Sequence, residues 1–325
     1  MRVVTTAEID AALSYPALVD VMEAAFRAGA IAPPRHHHVM KLPGGAADAT
    51  LLLMPAWTAS APGADTAGRY LGVKTVCVFP DNGARSLPAV QGAYLLMSGE
   101  TGEPLALMDA PRLTVWRTAA ASALASRCLS RPDASRLLIV GAGALGPYLV
   151  RAHASVRPIR EVSIWNRTRA GAEKLAAILA PTGLSIGVAD DLETAARGAD
   201  IIATATISKT PLLHGAWLSP GTHLDCVGAF RPDMRETDDE VVRRARIWVD
   251  TRAGGLAEAG DIVIPIASGV IGSDTIEGDL FELARGTAPR RGTADEITMF
   301  KSVGASIEDL AAAVAVFEWI DTQGA

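Results

Sequence analysis

The chain has 325 residues, of which 49% are hydrophobic and 20% charged, and its formal net charge is −6. That length and apolar content can bury the core of two domains or of one large one. The mild acidity comes without a block of like charge or a basic stripe, which argues against a nucleic-acid partner.

Cys77, Cys128 and Cys226 are far apart and form no CxxC pair, so reduced thiols are expected. The opening "MRVVTTAEIDAAL" has no long apolar stretch of the signal-peptide kind, and no uninterrupted apolar run approaches the ~20 residues that span a bilayer. The expectation is a soluble cytoplasmic protein without a membrane partner.

In chain order, Thr5 and Glu8 form a Thr-x-x-Glu capping box. Ile9, Leu13, Leu18, Val21 and Met22 follow at helical spacing, which predicts two helices meeting near Pro16. From Arg35 to Asp109 short apolar runs alternate with Gly, Pro, Asn and Asp clusters, predicting a mostly antiparallel sheet with "SGETGEP" as a hairpin turn. "PRLTVWRTAAASALASRCL" is helical and rich in alanine. After the polar link "SRPDASR", strands and helices alternate through "LLIV", "EVSIW", "SIGV", "DIIATA" and "THLDCVG". Such alternation predicts an α/β unit, a doubly wound parallel sheet with helices on both faces. The closing "TADEITMFKSVGASIEDLAAAVAVFEWI" is expected to be one amphipathic helical segment without βα character.

Gly141, Gly143 and Gly146 satisfy GxGxxG directly after the strand "LLIV". The first glycine permits a tight turn, the second lets a pyrophosphate approach backbone, and the third permits close helix packing. Ala144 and Leu145 complete the loop, and phosphate would sit at the helix N-terminus. Where an NAD-preferring site usually places Asp or Glu, this chain has Asn166, Arg167, Thr168 and Arg169. Arginine can pair with a 2′-phosphate, so NADP(H) is favoured, with NAD(H) possible. Thr204, Ala205 and Thr206 would line the nicotinamide side, with Val227 and Gly228 at the next strand end.

Three cationic residues precede the fingerprint in unusual settings. Arg35 follows the rigid "APP", Lys74 lies inside the apolar strand "LGVKTVCVF", and Arg117 sits in an otherwise nearly uncharged helix. Two arginines can clamp a carboxylate, and a desolvated lysine can exchange a proton near neutral pH. The combination suits an amino-acid or imino-acid substrate.

The order "PPR", "LGVKTV", "LT..RTAA", "GAGALG", "WNRT", "VGAFRPDMRE" and "FKSVGASIEDLAAA" resembles the ornithine cyclodeaminase/μ-crystallin family over almost the whole chain. The resemblance implies a Rossmann domain, 119–298, inserted into a discontinuous α+β substrate and dimerisation domain, 1–118 and 299–325. By the same resemblance Lys74 is the active-site lysine, Arg35 and Arg117 hold the substrate carboxylate, and Met54 lines the pocket. Thr118 would lie beside the cofactor phosphates, and Val303 and Gly304 would close the site. The first domain's strands would pair across a two-fold axis into a homodimer.

Members that cyclise ornithine carry an Asp where this chain has Phe230. Phenylalanine can neither attract nor deprotonate a distal amine, and it makes that end of the pocket apolar. Asp233, nearby, is expected to be a turn or helix-start residue. The resulting expectation is an NAD(P)H-dependent ketimine reductase acting on Δ1-pyrroline-2-carboxylate or its six-membered homologue. Ornithine cyclodeaminase and a non-catalytic NADP(H)-dependent ligand-binding protein of μ-crystallin type stay as alternatives. "HHH" at His36 to His38 alternates across a strand and has no Cys or carboxylate cluster to complete a metal site.

Overall fold

The computed structural model describes residues 1–44, 46–58 and 69–323. The chain divides into two compact units: a terminal unit, Met1–Thr118 with Ala305–Ala325, and a central unit, Ala119–Gly304.

The terminal unit comprises β1 (Arg2–Val4), α1 (Thr6–Ala12), α2 (Tyr15–Ala28), β2 (Ala30–Ile31), β3 (His36–Met40), β4 (Ala49–Thr58), β5 (Tyr70–Val78), β6 (Val90–Ser98) and β7 (Pro104–Asp109). α3 (Ala110–Leu129) follows and contains the division between the units. The expected capping box is present, with the Thr5 side chain accepting from Glu8 N and Glu8 reaching back to Thr5 N. α2 begins afresh with proline in its first turn, where a missing N–H costs nothing.

Strands β4 to β7 form an antiparallel meander, and β1 adds to β7 in parallel. Alternation along the strands buries one face. One register row on that face runs Met54, Lys74, Tyr94, Met108 and Val4, all buried. The C-terminal helix, α11 (Ser306–Gln323) in the chain's full numbering, packs on β4, β5 and β6 and against α1 and α2. Gly72 is required here by close approach: a Cβ would stand 2.0 Å from the Tyr94 Oη. On the opposite face Leu53, Val73, Leu95 and Leu107 are only half-buried, and Trp57 and Val3 are exposed.

The central unit contains β8 (Arg136–Val140), α4 (Gly146–Val156), β9 (Glu161–Trp165), α5 (Arg169–Leu179), β10 (Ser185–Val188), α6 (Leu192–Gly198), β11 (Ile201–Thr204) and β12 (His223–Cys226). It continues with α7 (Asp239–Arg244), β13 (Arg246–Val249), α8 (Arg252–Glu258), α9 (Gly260–Ala267), β14 (Ile276–Asp279), α10 (Leu280–Arg285) and β15 (Thr298–Lys301). Its eight strands pair in parallel in the order β10-β9-β8-β11-β12-β15-β13-β14. Strand order reverses between β8 and β11, the crevice where open α/β sheets bind ligands.

Two expectations need correction. "TMFK" is not helical: it is β15, fully buried between β12 and β13. Four residues carry little periodicity, and burial on both sides decides the matter. A boundary at 298/299 would cut that strand, and the division lies instead at 304/305, after Gly304 at φ +85°. No helix among the described residues is long and apolar enough to cross a membrane.

Candidate active site

In the terminal unit Lys74 projects from the centre of the sheet into a charged cluster sealed by α11. Its side chain is 3% exposed, with Nζ 2.7 Å from Asp309 Oδ2 and 2.9 Å from Oδ1. Thr114 Oγ1 lies 3.5 Å away. Arg117 donates from Nε to Asp309 Oδ1 at 2.9 Å and from Nη1 to Glu308. Both carboxylates lie in the first turn of α11, where the helix dipole favours negative charge.

Burial, then the neighbouring Arg117, lowers Lys74 to about 8, while Asp309 acts to raise it and Arg35 adds to the lowering. Burial opposes the charge of Arg117 as well, but Asp309 and Glu308 outweigh it and push its pKa up. Lys74 and Arg117 are thus balanced by two acids, and Arg35, in the loop before β3, adds a further positive charge. Of Lys74 and Arg117, the lysine is the group that changes protonation near neutral pH. Met54 is paired with Lys74 across β4 and β5 and is buried beside it. Thr118 is buried on α3, one turn beyond Thr114.

In the central unit the glycine loop follows β8 as expected. Gly141 holds φ +106°, and a Cβ there would meet Ala205 O at 2.8 Å and Thr206 Cγ2 at 2.9 Å. Gly143 and Ala144 are exposed, and a Cβ at Gly143 would touch no protein atom. That open backbone at a helix N-terminus fits a pyrophosphate. Gly146 packs against Leu175 of α5, where a Cβ would be 2.7 Å from Cδ2. Asn166 Oδ1 accepts from Ala142 N, and its Nδ2 donates to Thr168 Oγ1, so the end of β9 is tied to the loop.

Thr168 occupies the N-cap of α5 by its backbone but makes no side-chain cap. Arg169 is engaged by Glu173 and Asp190, whereas no described carboxylate pairs with exposed Arg167. Thr204 ends β11, and its carbonyl accepts from Val227 N and Gly228 N at 2.8 and 3.1 Å. The expected dinucleotide residues of the central unit lie at the C-terminal ends of β8, β9, β11 and β12, whereas Thr118 belongs to the terminal unit.

A model of the ornithine cyclodeaminase/mu-crystallin family matches residues 1–324. This chain belongs to that family. The Δ1-pyrroline-2-carboxylate reductase of Paracoccus denitrificans is 44% identical over 244 residues, covering 75% of this chain and 77% of that protein. The enzyme of the same name from Colwellia psychrerythraea is 36% identical over 322 residues, covering 98% and 99%. The solved Δ1-pyrroline-2-carboxylate reductase of Thermococcus litoralis, in complex with NADH and L-proline, superposes with a TM-score of 0.91 at 31% identity, covering 100% and 98% of the two chains.

Within this ornithine cyclodeaminase/mu-crystallin chain, Phe230 is 42% exposed and follows Ala229, which holds the left-handed φ of +48°. Asp233 caps no helix. It lies in a turn, paired with Lys209 at 2.9 Å and Arg231 at 3.0 Å, and the Lys209 hydrogen bond lowers its pKa, so it is an exposed carboxylate rather than a base. Ser122, Asp225 and His153 form a buried chain in which Asp225 sits in the middle, bonded to both others. A hydrolase would place histidine between serine and carboxylate, so this is a core network.

Val303 N and Gly304 N donate to Asp250 Oδ2 at 2.8 and 2.6 Å, which pins the end of β15. His36 and His38 have ring centroids 6.3 Å apart, and among the described residues no three metal-ligating groups converge. Sequence reading missed Glu308 and Asp309. The signal available was two adjacent acids in the otherwise apolar "SIEDLAAAVAV".

Proposed function

We propose that this chain is an NAD(P)H-dependent ketimine reductase that reduces a small cyclic imino acid, Δ1-pyrroline-2-carboxylate or its six-membered homologue, to L-proline or L-pipecolate. The observation that carries the reading is the buried Lys74, held by Asp309 and lowered to about 8. A lysine so tuned donates a proton in the neutral range. A reduced nicotinamide, when bound, would supply the hydride that the imine carbon takes up. Lys74 delivers the proton to the imine nitrogen, which makes the C=N bond more electrophilic as it is reduced. Arg35 and Arg117 orient the carboxylate, with Arg117 itself held rigid by the two acids. The family resemblance adds Met54, Phe230 and Gly304 as substrate-site residues.

Gly141, Gly143, Ala144 and Leu145 would hold the pyrophosphate, and residues 204–206 with Val227 and Gly228 the nicotinamide end. Thr118 would lie beside the phosphates. Arg167, which pairs with no described carboxylate, favours NADP(H) together with Thr168 and Asn166, since a 2′-phosphate would give it a charge partner. The Thermococcus relative carries NADH, so NAD(H) is the competing cofactor. The half-buried apolar face of the terminal sheet supports a homodimer.

The deciding experiment follows loss of NADPH and NADH absorbance with Δ1-pyrroline-2-carboxylate, beside ammonia release from L-ornithine with NAD. Oxidation without ammonia is expected, faster with NADPH. Ammonia release without net oxidation overturns the reading in favour of the cyclodeaminase, a reaction for which Phe230 offers no carboxylate. Cofactor binding without either reaction favours a ligand-binding protein.

A further inference from the structure

Beneath the strand ends of the central unit lies a buried charged cluster that catalysis as described does not use. Glu236, Asp261 and Lys301 are all shielded from solvent. Glu236 accepts from Thr204 Oγ1 and from Thr206 N, both at 2.7 Å. It also presses on Gly228, where a Cβ would stand 2.4 Å from its Oε1. Lys301 Nζ donates to the Gly228 carbonyl and lies 3.2 Å from Asp261 Oδ2. Asp261 Oδ1 accepts from Glu236 N and Thr237 N, both at 2.9 Å. One carboxylate thus clamps the end of β11, and one ammonium ties the end of β12 to β15.

The clamped segment is the one that abuts the glycine loop through Ala205 O and Thr206 Cγ2. Two acids and a lysine in a dry interior are costly, and an apolar trio would fill the same space more cheaply, so the arrangement is informative. The last ladder bond runs from Ala205 N to the Val140 carbonyl at 2.9 Å, and beyond it Glu236 accepts the backbone N–H of Thr206. Burial raises Glu236 to about 7, against the pull of Lys301.

We propose that Glu236 is a positioning residue of the dinucleotide site, setting residues 204–206 against the Gly141 turn so that the nicotinamide end of the cofactor meets a preformed wall. The inference rests on the reading that this chain binds a dinucleotide. Lys301 and Asp261 act through it, fixing the carboxylate and the Gly228 carbonyl beside it.

The test is fluorescence titration of the full chain with NADPH and NADH, comparing wild type, Glu236→Ala and Glu236→Gln. Glutamine can accept from Thr206 N with its oxygen and donate to Thr204 Oγ1 with its amide, so it keeps the clamp. Alanine leaves both donors without it, and roughly tenfold weaker binding is expected. Glutamine should stay within about threefold of wild type, and kcat at saturating cofactor should change less than KM in both variants. Thr204→Val removes one arm only and serves if the alanine variant does not fold; its expected loss is about threefold.

Wild-type affinity in a folded Glu236→Ala, or in Thr204→Val where that variant stands in, overturns the proposal and leaves the function intact. Equal losses in the alanine and glutamine variants also overturn it, because they would trace the effect to charge rather than to the clamp. Failure of the wild type to bind either cofactor overturns the dinucleotide reading, and this inference with it.

Discussion

Lys74 shows how one side chain acquires a role from its neighbours. Moved out of water it loses affinity for its proton, and Arg117 adds to that, while Asp309 restores part of it. Its ammonium is the reactive form in imine reduction, so kcat/KM should be flat below about 8 and fall as pH rises through that value. Lys74→Met should cost about 100-fold or more in reduction rate, as expected for loss of a positioned general acid, with NADPH binding retained. Asp309→Asn removes the charge that holds Lys74 up, so its alkaline limb should move to lower pH. A limb that stays in place in Asp309→Asn would assign the titration to another group. Lys74 was visible in the sequence because a charge inside an apolar strand is conspicuous. Its partners were not: 235 residues separate it from Asp309, and adjacent acids near a helix start ordinarily read as a solvated first turn.

At the scale of elements, the sheet of the terminal unit carries Lys74 in a row whose neighbours leave little room. Tyr94 lies across Gly72, and its hydroxyl has no hydrogen-bond partner among the described residues. Gly72→Ala should therefore force the ring aside and destabilise the chain by about 1–3 kcal/mol, read as a lower unfolding midpoint in urea. Gly72→Ala combined with Tyr94→Leu should recover much of that loss, because the smaller side chain vacates the contact. Additive losses in the double variant would place the strain elsewhere. Element types were legible wherever periodicity was long or punctuation strong: the capping box, the meander and the fingerprint turn all stand in the sequence. "TMFK" was not, since four residues, two of them apolar, fit a strand or a helix alike, and only a slot between β12 and β13 distinguishes them.

The whole molecule raises the question of the sheet face that α11 leaves uncovered. Leu53, Val73, Leu95 and Leu107 form a half-buried apolar stripe across β4 to β7, with Trp57 exposed at 37%. A contiguous apolar surface of this kind marks an interface. In light scattering after gel filtration the wild type should run as a dimer, and Leu95→Glu, in the middle of the stripe, should run as a monomer. Dinucleotide binding belongs to the central unit and should survive that change. A Leu95→Glu dimer would move the interface to another surface.

Family, reaction class and the glycine-loop site follow from the sequence alone, because they rest on local signals: a strand, a tight turn and a helix start lie within a few residues of one another. The expected preference for NADP(H) is equally local, since it is read from the four residues after β9. The tertiary structure decided what surrounds the reacting groups. Asp309 meets Lys74, Glu236 meets Thr204 and Thr206, and Lys301 meets Asp261 only because folding brings distant segments together. Each of those contacts draws its strength from the exclusion of water, and burial is a property that a linear pattern of residues does not carry.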